Sequence, residues 1–268
     1  MNRNFPPDVG AMLDALVAGG HAALGGNLVG LYLRGSLVMG EFDPPSSDID
    51  FFAVTEQPVT DVEYDRLAAL HVRLSALPNR YAGQLEGPYI PRDSARRFRA
   101  GEQHPTVYRG EALQRHMHGE NWVLERWVVR EHGVALRGPD PRTLIDPMAP
   151  AEIREAVRTR LGDWVEFAQN RDDPAWWQPL GHCAYVAETM CRVGYTLATG
   201  QLCSKRHAVS WALEHIAEPW RSTVARSQTW RHAPLAHAAP SGAVVDEVRQ
   251  FVFWTAAQGA IRGAVDER

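Results

Sequence analysis

Two aspartates one residue apart, Asp48 and Asp50, close a loop that begins at Gly35-Ser36. The apolar run Leu28 to Leu33 precedes the loop, and Phe51-Phe-Ala-Val54 follows it. This pattern predicts strand, glycine turn, loop and strand, with both carboxylates on the second strand. Alternate strand residues share a face, so Asp48 and Asp50 are expected to point together while Ile49 points inward. Two adjacent carboxylates repel unless a cation neutralises them. Hard oxygens of this kind suit Mg²⁺, which takes one or two carboxylates together with substrate phosphates. Gly35 lets the backbone approach a ligand closely, and turn amides with the Ser36 hydroxyl can cradle a phosphate. The chemistry these residues fit is a nucleoside triphosphate held through metal.

The elements that must position this site follow from periodicity. A helix is expected over Val9–Ala23, opened by Pro6-Pro7, with Met12, Leu13, Leu16 and Val17 on one face. A second is expected over Asp61–Leu77, with Val62, Leu67, Leu70 and Leu74 inward. Residues 81–90 read as a third strand, which its Gly and Pro place at an edge or bulge. That strand carries Glu86, either a third metal ligand, a general base for an acceptor hydroxyl, or a solvent-facing glutamate. Residues 91–118 are polar, rich in Arg and His, and weakly periodic; a loop excursion is expected. A helix over Asn121–His132 and a short strand within 133–139 follow. Beyond Asp146-Pro147 the pattern turns helical, with candidates at 151–171, 180–200, 205–217, 219–230 and 241–264. The expected class is α+β, with residues 1–155 forming a mixed sheet with helices and 156–268 an all-α bundle.

Composition narrows the partners. The chain has 268 residues, 45% hydrophobic and 22% charged, as a globular protein with an ample core has. Net charge is -4, so no basic field recruits nucleic acid. Residues 1–155 hold 16 basic and 21 acidic side chains, and 156–268 hold 12 and 11, so the acidic excess lies with the carboxylate site. That balance suits a cationic small molecule and is compatible with a monomer. Cys183, Cys191 and Cys203 form no C-x-x-C pair and read as free thiols in a reducing cytoplasm. No secretory pattern or membrane-length run is expected. Of 28 basic residues only Lys205 is a lysine, a mild sign that its amine matters.

Gly-Ser, a loop of this length and Asp-x-Asp resemble the DNA polymerase beta type nucleotidyltransferases. Four segments together resemble the streptomycin/spectinomycin (aminoglycoside) adenylyltransferases. They are Leu31 to Ser36 with Ser47 to Asp50; Leu85-Glu86; Arg130 to Pro139; and Arg192 to Lys205. The resemblance implies transfer of AMP from ATP, with Mg²⁺, to a hydroxyl of an aminoglycoside or aminocyclitol, releasing pyrophosphate. It implies that Asp48, Asp50 and Glu86 hold metal, that Glu86 is the base, and that Gly35, Ser36, Ser47, Arg192 and Lys205 hold phosphates. The helical part is expected to close over the nucleotide. Streptomycin-modifying members carry a Trp and an acidic residue where ungapped alignment back from Gly200 gives Pro179 and His182. Trp176, Trp177 and Asp173 lie close by, as stacking and ion-pairing candidates for the acceptor or as a plug of the seam between domains. A protein or another hydroxylated metabolite is the alternative acceptor.

Overall fold

A computed structural model describes residues 5–44, 47–232 and 234–266, with side chains through 259. Pro45 and Ser46, in the loop before Asp48, lie outside the described residues. The chain divides into two compact units, Met1–Pro147 and Met148–Arg268. The expected junction at 155/156 falls inside the continuous helix Pro150–Gln169.

The first unit is a mixed sheet flanked by helices. Its elements are α1 (Pro7–Leu24), β1 (Leu28–Leu33), β2 (Ile49–Thr55), α2 (Asp61–Ser75), β3 (Leu85–Pro91), α3 (Arg92–Arg96), β4 (Gln103–Val107), β5 (Gln114–Met117), α4 (Asn121–His132) and β6 (Val134–Arg137). Strand order is β5-β4-β3-β2-β1-β6. The β2–β3 pair is parallel and the others are antiparallel. A parallel pair needs a crossover, and α2 supplies it. Thr60 and Glu63 start α2 with a capping box.

Alternation sorts the strands. Leu31, Leu33, Phe51, Ala53 and Tyr89 join Met12, Leu13, Leu16, Leu67, Leu70 and Leu74 of α1 and α2 in one buried cluster. Asp50 and Phe52 share the opposite face, where the Arg126 guanidinium of α4 lies 5.9 Å from the Phe52 ring centre. Burial of the apolar side chains is the main stabilising term.

Several expectations change. Strand β3 is interior, not an edge: Gly87 allows it to lie close to β2, because a Cβ there would stand 2.3 Å from the Phe51 carbonyl oxygen. Residues 91–118 are not a plain excursion but hold α3 and the β4–β5 hairpin. The buried histidines His104 and His118 carry its apolar role, so periodicity of ordinary hydrophobes is weak. Val62 is 60% exposed, because only Leu67, Leu70, His71 and Leu74 of α2 face the core. Segment Pro7–Asn27 is long and apolar enough to cross a membrane by length and composition, against expectation. Its residues Val9, Met12, Leu13 and Leu16 are nonetheless buried in the first unit's core.

The second unit has helices α5 (Pro150–Gln169), α6 (Leu180–Thr199), α7 (Lys205–His215), α8 (Trp220–Trp230) and α9 (Gly242–Asp266), with no strand among the described residues. Helix α6 is the central one, burying Cys183, Val186, Met190, Cys191 and Leu197 among others and packing on α5, α7, α8 and α9. Cys183, Cys191 and Cys203 are buried, and none forms a disulfide.

Candidate active site

The site forms where β1 ends and β2 begins, around the Gly-Ser turn. Gly35 opens a short 3₁₀ turn, Gly35–Leu37, with φ of 66°. That left-handed conformation favours glycine. Space demands it as well, since a Cβ on Gly35 would lie 2.0 Å from Asp50 Oδ2. The turn therefore rests directly on the Asp50 carboxylate. The Ser36 Oγ is buried with no hydrogen-bond partner among the described residues. A buried hydroxyl left unpaired costs about 1–3 kcal/mol.

Asp50 and Glu86 are direct neighbours across the parallel pair β2–β3. Asp48 precedes β2 rather than sitting on it, yet its charge acts on both Asp50 and Glu86. Glu125 of α4 adds a fourth carboxylate whose charge acts on the same two residues. Burial pushes the Asp50 carboxyl up to about 7; Arg34 works against this, while Asp48, Glu125 and Glu86 add to it. Glu86 is raised for the same first reason, burial, and its carboxylate accepts a hydrogen bond from the Arg109 amide. A raised carboxyl is a stronger base, as proton abstraction requires. Tyr108, beside Glu86, accepts a hydrogen bond from the Trp122 side chain and is raised chiefly by burial.

Arg34 answers these charges. Its Nη2 lies 3.1 Å from Asp50 Oδ1 and 3.6 Å from Glu86 Oε1, and its Nη1 lies 2.7 Å from Glu125 Oε2. Its charged form is favoured: burial opposes the charge, but Glu125, Asp50 and Glu86 outweigh it. The expected metal set of Asp48, Asp50 and Glu86 is not gathered. Among the described residues, no three His, Cys, Asp or Glu side chains could hold a metal ion. Arg34 shares Asp50 and Glu86, at 3.1 and 3.6 Å. The donor chemistry still fits Mg²⁺ through Asp48 and Asp50, because Mg²⁺ completes its shell with phosphate oxygens and water rather than with an all-protein cage.

The other predicted residues divide by role. Ser47 Oγ accepts from the Asp43 amide at 3.0 Å, so it fastens its own loop. In the helical unit, Arg192 lies on α6 and Lys205 opens α7, both half-buried. The Lys205 Nζ stands 5.1 Å from the Tyr185 ring centre, within cation–π range. Trp176 is fully buried, stacks on Phe167 at 4.2 Å and donates its indole N–H to the Phe167 carbonyl. It belongs to the core of the helical unit and presents no face to a ligand. Trp177 is 43% exposed, with the Arg171 guanidinium 5.6 Å from its ring centre. Asp173 caps the turn Pro174–Trp177 by accepting from the Ala175 amide. His182 packs near Phe167 and Tyr185; burial lowers its pKa, and its Nε2 is buried with no partner among the described residues.

Sequence reasoning missed Arg34, Glu125 and Tyr108. Arg34 stands in the Gly-Ser motif itself, but one arginine among 27 carries no compositional signal. Glu125 lies on a helix that reads as amphipathic, and nothing in its spacing points to β2.

A solved chain described as spectinomycin adenyltransferase AAD(9) from Enterococcus faecialis, with ATP and spectinomycin, shares the fold at a TM-score of 0.66 and 16% identity, covering 91% of this chain and 98% of that one. The resemblance to aminoglycoside adenylyltransferases is borne out in sequence: residues 143–255 match the family described as "Aminoglycoside adenylyltransferase, C-terminal domain". An aminoglycoside (3'') (9) adenylyltransferase of Klebsiella pneumoniae is 28% identical over 125 residues, 47% of this chain. That alignment spans 43% of the relative's length, less than half. A spectinomycin 9-adenylyltransferase of Campylobacter jejuni is 23% identical over 229 residues, 81% of this chain and 82% of the relative.

Proposed function

We propose that the protein is an O-adenylyltransferase that transfers AMP from ATP to a hydroxyl of a cationic aminoglycoside or aminocyclitol, spectinomycin and streptomycin being the first acceptors to test. The observation that carries this reading is the Gly35-Ser36 turn lying on Asp50, with Glu86 next to it and the Ser36 hydroxyl buried with no partner among the described residues. Asp48 and Asp50 would hold Mg²⁺. When bound, the ion would neutralise triphosphate oxygens and the charge that develops as pyrophosphate leaves. Ser36 would donate to a phosphate oxygen. Glu86 would take the proton from the acceptor hydroxyl; the oxygen then bonds to the α-phosphorus as the bond to pyrophosphate breaks. The resemblance assigns phosphate contacts to Arg192 and Lys205.

The acceptor's charge has a physical counterpart. Asp50, Glu86 and Glu125 share the Arg34 guanidinium, and the charge of Asp48 acts on Asp50 and Glu86, so negative charge is left over for a polycation. Complementary charge raises encounter rates and rejects anionic competitors. A small basic sugar suits this better than an acidic protein surface does.

The test is pyrophosphate release from ATP and Mg²⁺ with each acceptor in turn, in wild type and in Glu86→Gln. Release that depends on the acceptor and falls by ~100-fold or more in the variant supports a general base. Full turnover in the variant removes Glu86 from that role. Labelled ATP in a lysate separates the alternative: label on a protein band points to protein modification.

A further inference from the structure

Arg34 is, with Arg126, one of two buried arginines among the described residues, and it is the one paired with site carboxylates. It is 4% exposed and sits one residue before the Gly-Ser turn. Its guanidinium spans carboxylates from three elements: Asp50 on β2, Glu86 on β3 and Glu125 on α4. Its backbone amide donates to the Asp50 carbonyl at 3.1 Å, and its Nε donates to the Phe51 carbonyl at 3.2 Å. The guanidinium carbon lies 5.5 Å from the centre of the Trp122 ring, which stacks on His118 at 3.9 Å and 6°. Main chain, carboxylates and an aromatic column thus all fix one side chain.

Asp50 and Glu86 face each other across a parallel pair and would repel without a cation between them. A planar guanidinium serves several carboxylate oxygens in a fixed fork geometry, which the compact point charge of an ammonium lacks. We propose that Arg34 is a positioning residue: it holds Asp50 and Glu86 side by side, ties both to Glu125, and keeps the carboxylates assembled before any divalent ion binds. Its catalytic consequence rests on the adenylyl-transfer reading above; its consequence for stability does not. The sharing of Asp50 makes Arg34 and a divalent ion alternative sources of the same positive charge.

The experiment compares full-length wild type, Arg34→Met and Arg34→Lys by thermal unfolding in EDTA and in millimolar MgCl₂, with kcat and KM for ATP measured alongside. Removing one partner of a buried ionic network leaves carboxylates unpaired, so R34M should melt lower in EDTA by roughly 10 °C. Mg²⁺ should restore part of that loss in R34M and raise wild type less. The kcat of R34M should fall by ~10-fold or more while KM for ATP moves little, as expected when alignment rather than nucleotide affinity is lost. R34K should recover stability better than it recovers kcat, because charge returns without the fork. Glu125→Gln removes one arm and should lower kcat with little change in KM, which keeps the test open if R34M fails to fold. An R34M protein with wild-type melting in EDTA overturns the proposal. So does an E125Q protein with wild-type kcat. Absence of any pyrophosphate release by wild type would instead overturn the reading of function, and the EDTA comparison would still judge Arg34.

Discussion

Replacing Gly35 with alanine should damage the site more than the fold. The residue has φ of 66°, where an L side chain costs roughly 1–2 kcal/mol. The added Cβ would also lie 2.0 Å from Asp50 Oδ2, 2.7 Å from its Cγ and 3.1 Å from its Cβ. Ordinary contact requires the Asp50 carboxylate to retreat by about 1 Å or more, a displacement that can cost ~100-fold in rate. Retreat also opens the 3.1 Å pair with Arg34. Backbone strain and the weakened ion pair together should lower stability by about 2–4 kcal/mol. Denaturant unfolding measures the second quantity, and acceptor-dependent pyrophosphate release measures the first. A Gly35→Ala protein with wild-type kcat would refute the claim that the turn and Asp50 must touch. An unchanged unfolding midpoint would refute the strain argument.

Other outcomes follow from the same geometry. Ser36→Ala removes a buried hydroxyl that has no partner among the described residues, so stability should hold or rise slightly while ATP affinity falls by roughly 10-fold, the scale of one hydrogen bond to a charged group; calorimetry checks both. Trp176→Ala should destabilise by about 3–5 kcal/mol and Trp177→Ala by less than about 0.5, since the first is buried and the second exposed; chemical denaturation separates them. The contribution of His71 to stability should fall as pH drops from about 6.5 toward 4, against the opposite slope of the raised Asp50 carboxyl. Burial holds His71 at about 4, whereas the unfolded chain takes its proton near 6.5, so His71 alone gives about 1.4 kcal/mol per pH unit across that window and nothing above it. His104 is likewise lowered to about 4, by burial first and then by Arg126. Unfolding midpoints from pH 4 to 8 should therefore slope less steeply in His71→Phe than in wild type.

The legible parts of the fold were those with ordinary apolar periodicity. Strands β1 and β2, helix α4 and the five helices of the second unit follow their patterns to within a few residues. The β4–β5 hairpin did not, because buried His104, Thr106 and His118 stand where aliphatic residues usually mark a strand. Strand β3 was misplaced at an edge because Gly87 and Pro88 weaken a strand pattern; only the approach of the Phe51 carbonyl explains the glycine. In the candidate site, type and spacing single out Asp48 and Asp50, while Glu86 is favoured by the family resemblance. Arg34 and Glu125 are marked by neither, since their meaning lies in contacts between elements far apart in sequence. The tryptophan pair divided: Trp176 proved to be core, and only Trp177 keeps an open face.

The most direct test of the account is mass spectrometry of spectinomycin and streptomycin after incubation with the purified protein, ATP and Mg²⁺. The account predicts that at least one acceptor gains a single adenylyl group, matched by an equal amount of pyrophosphate, and that Asp50→Asn abolishes both. Unmodified acceptors and intact ATP, or equal transfer by Asp50→Asn, would contradict it.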